Sequence, residues 1–325
     1  DDDLITSIIN NLKKTTIQST ETYGSRASNL MDAFTNELDW QTQVAYTDQL
    51  SKLTKKDIVA FANKYFGDNY VVILKRKGEN DNIIKVEKPP ITPVETNRNS
   101  QSEFVKKVNN MPATSVKPVW LDYNKDVQKA KIGPADVLYV QNKDNSLFRL
   151  RYRFDMGTWN DKKLSLAAQY IQFLGTDKMS TEDITKAFYK IACSFNVSAS
   201  TEYTTVTIEG LQENFSKAVQ LFEDVLKNCK ADEDALKSLK ARLIKSRTDA
   251  KLNKGAIMSG LNNYARYGSN NPFNYTLSDD ELNNITSTEL LNSLHSLNSN
   301  KHSILYYGPQ PLAQFTAGLK SMHSI

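Results

Sequence analysis

Residues 148–154 read Phe-Arg-Leu-Arg-Tyr-Arg-Phe, with every even position apolar and every odd position arginine. A helix would scatter both sets around its circumference, whereas a strand sends them to opposite faces. The segment therefore predicts a strand with one face on a hydrophobic core and the other polar. Apolar or β-branched runs at 137–141, 191–199, 203–211 and 303–307 predict further strands. Helical patterns occupy 162–174, a short stretch capped by Ser180 or Thr181, and 215–226, where Ala218, Leu221, Phe222 and Val225 share one face. Two longer ones follow at 232–252 and 256–267, and Thr286-x-x-Glu289 is a capping box for the next. Strands adjacent in sequence and helices gathered in runs predict an α+β fold, with helices on one face of a mostly antiparallel sheet.

The chain also repeats itself. Residues 53–58 read Leu-Thr-Lys-Lys-Asp-Ile and 285–290 read Ile-Thr-Ser-Thr-Glu-Leu, an offset of 286 − 54 = 232 that Leu50 and Leu282 share. Each copy follows two long helical stretches and precedes an apolar run, 70–74 or 303–307. The spacing is far beyond the period of about 20–50 residues of a solenoid and predicts duplicated domains. Residues 1–77 read as the C-terminal half of a preceding domain, helical at 1–23 and 25–38 with Gly24 as the break, and ending in a closing strand. Residues 78–118 hold Pro89, Pro90, Pro93, Pro112 and Pro118 and read as an extended linker. Residues 119–309 read as a complete domain, and 310–325 as the start of a connection to another. The stripe Leu4, Ile8, Ile9 and Leu12 lacks the sheet it should cover, which predicts packing on the second domain or self-association. The opening Asp1-Asp2-Asp3 resembles no signal peptide and predicts a fragment of a longer chain.

Bulk properties exclude several classes. A net charge of +4 over 325 residues, without a dense basic block, gives no pull toward nucleic acid. No apolar run approaches the roughly 20 residues of a membrane span. Nucleotide-binding glycine loops and a Gly-x-Ser-x-Gly elbow are absent. Cys193 and Cys229 read as buried thiols, with a disulfide as the alternative in an exported parent. His295, His302 and His323 stand at no metal-ligand spacing and read as solvated or capping residues.

The element order, the duplication and the proline-bearing linker resemble the pitrilysin/insulinase family of zinc proteases, the inverzincins. That family's metal site is H-x-x-E-H on the first helix of a catalytic domain. The matching helix here reads Leu-Ala-Ala-Gln-Tyr-Ile-Gln-Phe-Leu-Gly-Thr over 166–176. Its Phe-x-Gly-Thr ending fits the family. Leu166 and Tyr170 stand where the resemblance implies histidines, and Gln169 where it implies the general-base glutamate. Zinc needs imidazole, thiolate or carboxylate donors, and an amide has no useful basicity toward water. The implied third ligand, a glutamate on the following long helix, has no counterpart, because 235–248 holds no carboxylate. The family's paired Arg and Tyr, seven residues apart, correspond to Phe188 and Phe195.

The resemblance thus implies a non-catalytic middle region with no cofactor of its own. It also implies that zinc belongs to a catalytic half of the same polypeptide and that the chain helps enclose a peptide substrate in a chamber. Arg149, Arg151 and Arg153 are the candidate chamber surface, suited to peptide carboxylates if they do not pair with local acids. The alternative is a binding or assembly module in a wholly non-proteolytic homologue, like the core subunits of respiratory complexes.

Overall fold

The computed structural model describes residues 2–323 except 80–83, 85 and 95. Those linker positions, and Asp1, lie outside the described residues. Six helices come first: α1 (Asp2–Ser19), α2 (Tyr23–Thr35), α3 (Trp40–Val44), α4 (Tyr46–Leu50), α5 (Lys55–Tyr65) and α6 (Glu103–Asn109). Three strands follow, β1 (Gln128–Ile132), β2 (Ala135–Gln141) and β3 (Leu147–Phe154). Next come α7 (Leu164–Tyr170), α8 (Thr181–Lys190), β4 (Cys193–Ala199) and β5 (Thr204–Leu211). The chain closes with α9 (Phe215–Asn228), α10 (Glu233–Ala250), α11 (Lys254–Tyr267), α12 (Asp279–Asn284), α13 (Ser287–His295), β6 (His302–Gly308) and α14 (Leu312–Met322). Two compact units result. One joins Asp1–Ile58 with Asp122–Ile325, and the other is Val59–Leu121.

In the larger unit, six strands form one sheet in the order β1-β2-β6-β3-β5-β4. All neighbours are antiparallel except β2 and β6. The sheet is the α+β arrangement that the sequence predicts. The period-two segment is a central strand, and Phe148, Leu150, Tyr152 and Phe154 are all at most 2 % exposed. Their face carries the helices. Phe215 of α9 and Phe315 of α14 meet Tyr306 of β6 at ring-centroid distances of 5.8 and 4.1 Å. Phe222 and Val225 of α9 and Leu290 and Leu294 of α13 are buried in the same core. Gly157 begins the turn after β3, where a side chain would run into the backbone of Thr201 and Tyr203.

Caps read from sequence form as expected. Ser180 and Asp183 cap α8 reciprocally, and Thr286 and Glu289 do the same for α13. The repeated copy behaves alike, since Asp57 Oδ2 accepts from both Thr54 N and Thr54 Oγ1.

Several expectations need correction. Residues 310–325 do not merely begin a connection: α14 buries Phe315 and Leu319 completely in the sheet's core. Residues 70–74 form no strand, and Val71 and Ile73 are about nine-tenths exposed. A strand needs a neighbour for its backbone groups, and among the described residues no strand pairs with this run. Gly24 lies inside α2, whose real start is capped by Thr22. The linker is not wholly extended, because the proline-free stretch between Pro93 and Pro112 holds α6, capped by Ser102. The helix expected over 162–174 is α7 followed by a 3-10 turn, Ile171–Phe173.

The first helix does pack on the α+β unit, but not by its apolar stripe. Ser7 is 3 % exposed, and Asn11 Nδ2 donates to the carbonyl of Tyr189 at the end of α8 (2.7 Å). Ile17 rests on Leu147, Ala192 and Leu211. Leu4, Ile8 and Leu12 remain 39–50 % exposed.

Candidate functional site

Helix α7 carries the three positions at which the sequence reading expects a lost metal site. Leu166 and Tyr170, four residues apart, share its inward face and are at most 2 % exposed. Gln169 sits on the outer side, where its Nε2 donates to the carbonyl of Ser165 (3.1 Å). The Tyr170 hydroxyl is used twice: it donates to the carbonyl of Asp232 and accepts from Asp232 N–H, both at 2.8 Å. Burial raises its pKa. This hydroxyl ties α7 to the start of α10, and a neutral phenol so engaged is not among the ligands zinc takes. The residues present do not fit zinc, which requires imidazole, thiolate or carboxylate ligands. Among the described residues no group of three or more His, Cys, Asp or Glu is arranged to hold a metal ion.

The basic run of α10 has structural work. Lys240 Nζ donates to the carbonyls of Ile285 (2.7 Å) and Asn283 (3.0 Å). Arg247 binds the Asp279 carboxylate and the Leu277 carbonyl. On the helix where the family resemblance implies a ligand glutamate, both side chains instead fasten the 277–285 segment. Between α7, α10 and α11 opens a cleft of about 1220 Å³, lined by Ser165, Leu166, Gln169, Arg247, Leu261 and Phe273 among others. Phe188 of α8 and Phe195 of β4 form a ring pair with centroids 5.0 Å apart.

The three arginines of β3 share the open face of the sheet, but they are not equivalent. Arg149 Nε donates to Glu209 on β5 at 2.7 Å. Arg153 pairs with Asp155 at 3.2 Å and lies over the Tyr203 ring, 4.4 Å from its centroid. Arg151 is flanked by Thr207 on β5 and Leu305 on β6. It is exposed and has no carboxylate partner among the described residues. Period and sign are legible in sequence. Which guanidinium lacks a local acid depends on cross-strand register.

Two thiols and two histidines complete the inventory. Cys193 and Cys229 are free and buried, and burial pushes their pKa values up to about 12 and about 11. The solvated or capping reading of the histidines fails for two of them: His302 and His323 are 4 % and 5 % exposed. Their Nε2 atoms lie 2.9 Å apart, His323 Nδ1 is 2.7 Å from Glu223 Oε1, and His302 Nδ1 is 2.8 Å from the carbonyl of Asn300. The signal was present in the sequence. His302 is in phase with the apolar Ile304 and Tyr306 of β6, and His323 lies four residues beyond Leu319 on the buried side of α14.

Comparison with known proteins agrees with this architecture. The sequence model described as Insulinase (Peptidase family M16) matches residues 166–270. No curated protein matches the chain significantly. Among solved structures, a peptidase M16 inactive domain from Pseudomonas fluorescens aligns with a TM-score of 0.53 and 20% identity, covering 61% of this chain and 50% of that one. The periplasmic protease PqqL from Escherichia coli aligns at 0.52 and 12% identity, covering 88% of this chain and 32% of that one. The ferredoxin protease FusC, solved as a mutant in complex with Arabidopsis ferredoxin, aligns at 0.52 and 13% identity, covering 98% and 38%. The chain thus spans half or less of the length of these three.

Proposed function

We propose, from the premise that the unit built around residues 166–270 is a domain of the insulinase family (Peptidase family M16), that the chain is a non-catalytic segment of a zinc metallopeptidase. It forms part of the wall of a peptide-enclosing chamber, and zinc, base and water belong to a catalytic half elsewhere in the polypeptide. The observation that carries the reading is the state of α7. Its motif positions hold Leu166, Gln169 and Tyr170, with Tyr170 committed to the backbone of Asp232. Residues 1–77 fit the reading as the remainder of a preceding domain, because Thr54 and Asp57 repeat the cap of Thr286 and Glu289.

Within that wall, Arg151 is the residue best suited to meet a peptide carboxylate. It is exposed at the centre of the open sheet face, whereas its two neighbours are neutralised by Glu209 and Asp155. A guanidinium can engage a carboxylate through two parallel hydrogen bonds. The parent protein tests both parts. Zinc analysis should find metal in the parent and none in this segment alone. Arg151→Ala in the parent should raise KM for peptides with acidic residues or a free C-terminus several-fold while sparing neutral ones; Arg149→Ala should do less. Zinc bound stoichiometrically by this segment would refute the first part, and an unchanged peptide preference in Arg151→Ala the second.

A further inference from the structure

The Glu223, His323 and His302 side chains link three elements inside the core: α9, the end of α14 and the start of β6. Hydrogen-bond chemistry fixes how many protons this chain must hold. The Asn300 carbonyl can only accept, so His302 Nδ1 carries a proton. Two facing Nε2 atoms at 2.9 Å need one proton between them, neither two nor none. His323 Nδ1 and the Glu223 carboxyl at 2.7 Å need one more between them. The total is three, wherever each proton resides, and in every such arrangement the cluster has no net charge.

The surroundings make this count matter. The Tyr152 ring of β3 stacks on His323 with centroids 4.1 Å apart. Its hydroxyl is buried without a hydrogen-bond partner of standard geometry, and burial, with the nearby Glu223 carboxylate adding to it, raises the phenol's pKa well above the ordinary value. Asn298 Nδ2 donates to the other oxygen of Glu223 (3.1 Å), and the Asn298 carbonyl oxygen is buried without a partner. Asp155, beyond β3, is the other acid acting on His302, and it pairs with Arg153 and Lys301 at the surface. Burial, with His323 adding to it, lowers the pKa of His302.

The geometry points to a proton-counting latch: Glu223, His323 and His302 hold helix α14 on the sheet tightly only while they share three protons, and the helix loosens at both lower and higher pH. With a fourth proton, two N–H groups confront each other between the imidazoles. With two protons, two lone pairs do. The unfolded chain sets the window. Two free imidazoles with pKa about 6.5 and an ionised glutamate hold three protons near pH 6.5, about two at pH 8 and nearly four at pH 5. Below pH 6.5 the unfolded state binds more protons than the latch, so stability falls on acidification. Above it the latch binds more, so stability falls as pH rises.

Hydrogen exchange of the native chain from pH 5 to 8 tests this. Protection of the α14 amides, corrected for intrinsic exchange and referred to α8, should peak near pH 6.5. It should drop on the order of tenfold at each end. His302→Gln should flatten the profile, because an amide can either donate to or accept from His323. A flat or one-sided profile in the native chain, or a peak that survives in His302→Gln, overturns the latch. Should that variant not fold, imidazole nitrogen NMR of the native chain decides. One proton shared between the two rings from pH 5.5 to 7.5 supports the latch, and two independent titrations near 6.5 reject it.

Discussion

Tyr170 shows how one residue closes a possibility and opens another. At a position where the family resemblance implies a metal ligand, its hydroxyl bridges α7 to both backbone groups of Asp232. Tyr170→Phe keeps the ring's packing and removes the bridge. Each such hydrogen bond contributes roughly 0.5–1.5 kcal/mol net, so urea unfolding should show a loss of about 1–3 kcal/mol. The thiols give a second residue-scale test. Sealed by the core and held far above neutral pH in pKa, Cys193 and Cys229 should resist iodoacetamide at pH 8 in the folded chain and react fully in denaturant. Fast labelling of the folded chain would mean that the core around α9 opens.

At the scale of elements, α1 and β3 make opposite lessons. The alternation of β3 is enforced, because slipping one residue would place three arginines in the core. It is therefore readable from sequence. The apolar stripe of α1 is not enforced. The helix docks through Ser7, Asn11 and Ile17, with Asn11 on the Tyr189 carbonyl, and leaves Leu4, Ile8 and Leu12 half open. Its moment names an apolar face without naming which surface the helix meets. Asn11→Ala should raise hydrogen exchange across α1 several-fold while leaving β3 and β5 unchanged; exchange that rises equally in the sheet would show that α1 is integral to the core. In α14 and its C-cap, burial at i, i+4 and i+8 marks Phe315, Leu319 and His323. The same spacing is visible in sequence, and it ties the last helix to the sheet.

For the whole molecule, one sheet and the helices on it account for nearly all of the buried apolar residues. The helical layer holds α7, the Glu223–His323–His302 chain and the cleft, and the opposite face exposes Arg151. That division follows from a sheet being apolar on one side only. Residues 70–74, strand-like in composition, stay uncovered in the described unit Val59–Leu121, because composition supplies β propensity but not a neighbouring edge.

The sequence by itself determined the α+β layering, the strand phases, the capped helix starts and the absence of zinc donors at Leu166, Gln169 and Tyr170, since these depend on local periodicity and on the chemistry of single side chains. Tertiary structure decided which arginine has no carboxylate partner among the described residues, which face of α1 is covered and that His302, His323 and Glu223 form one buried hydrogen-bonded chain. Those outcomes depend on cross-strand register and on contacts between residues far apart in the chain, where distances of a few tenths of an ångström separate a hydrogen bond from none.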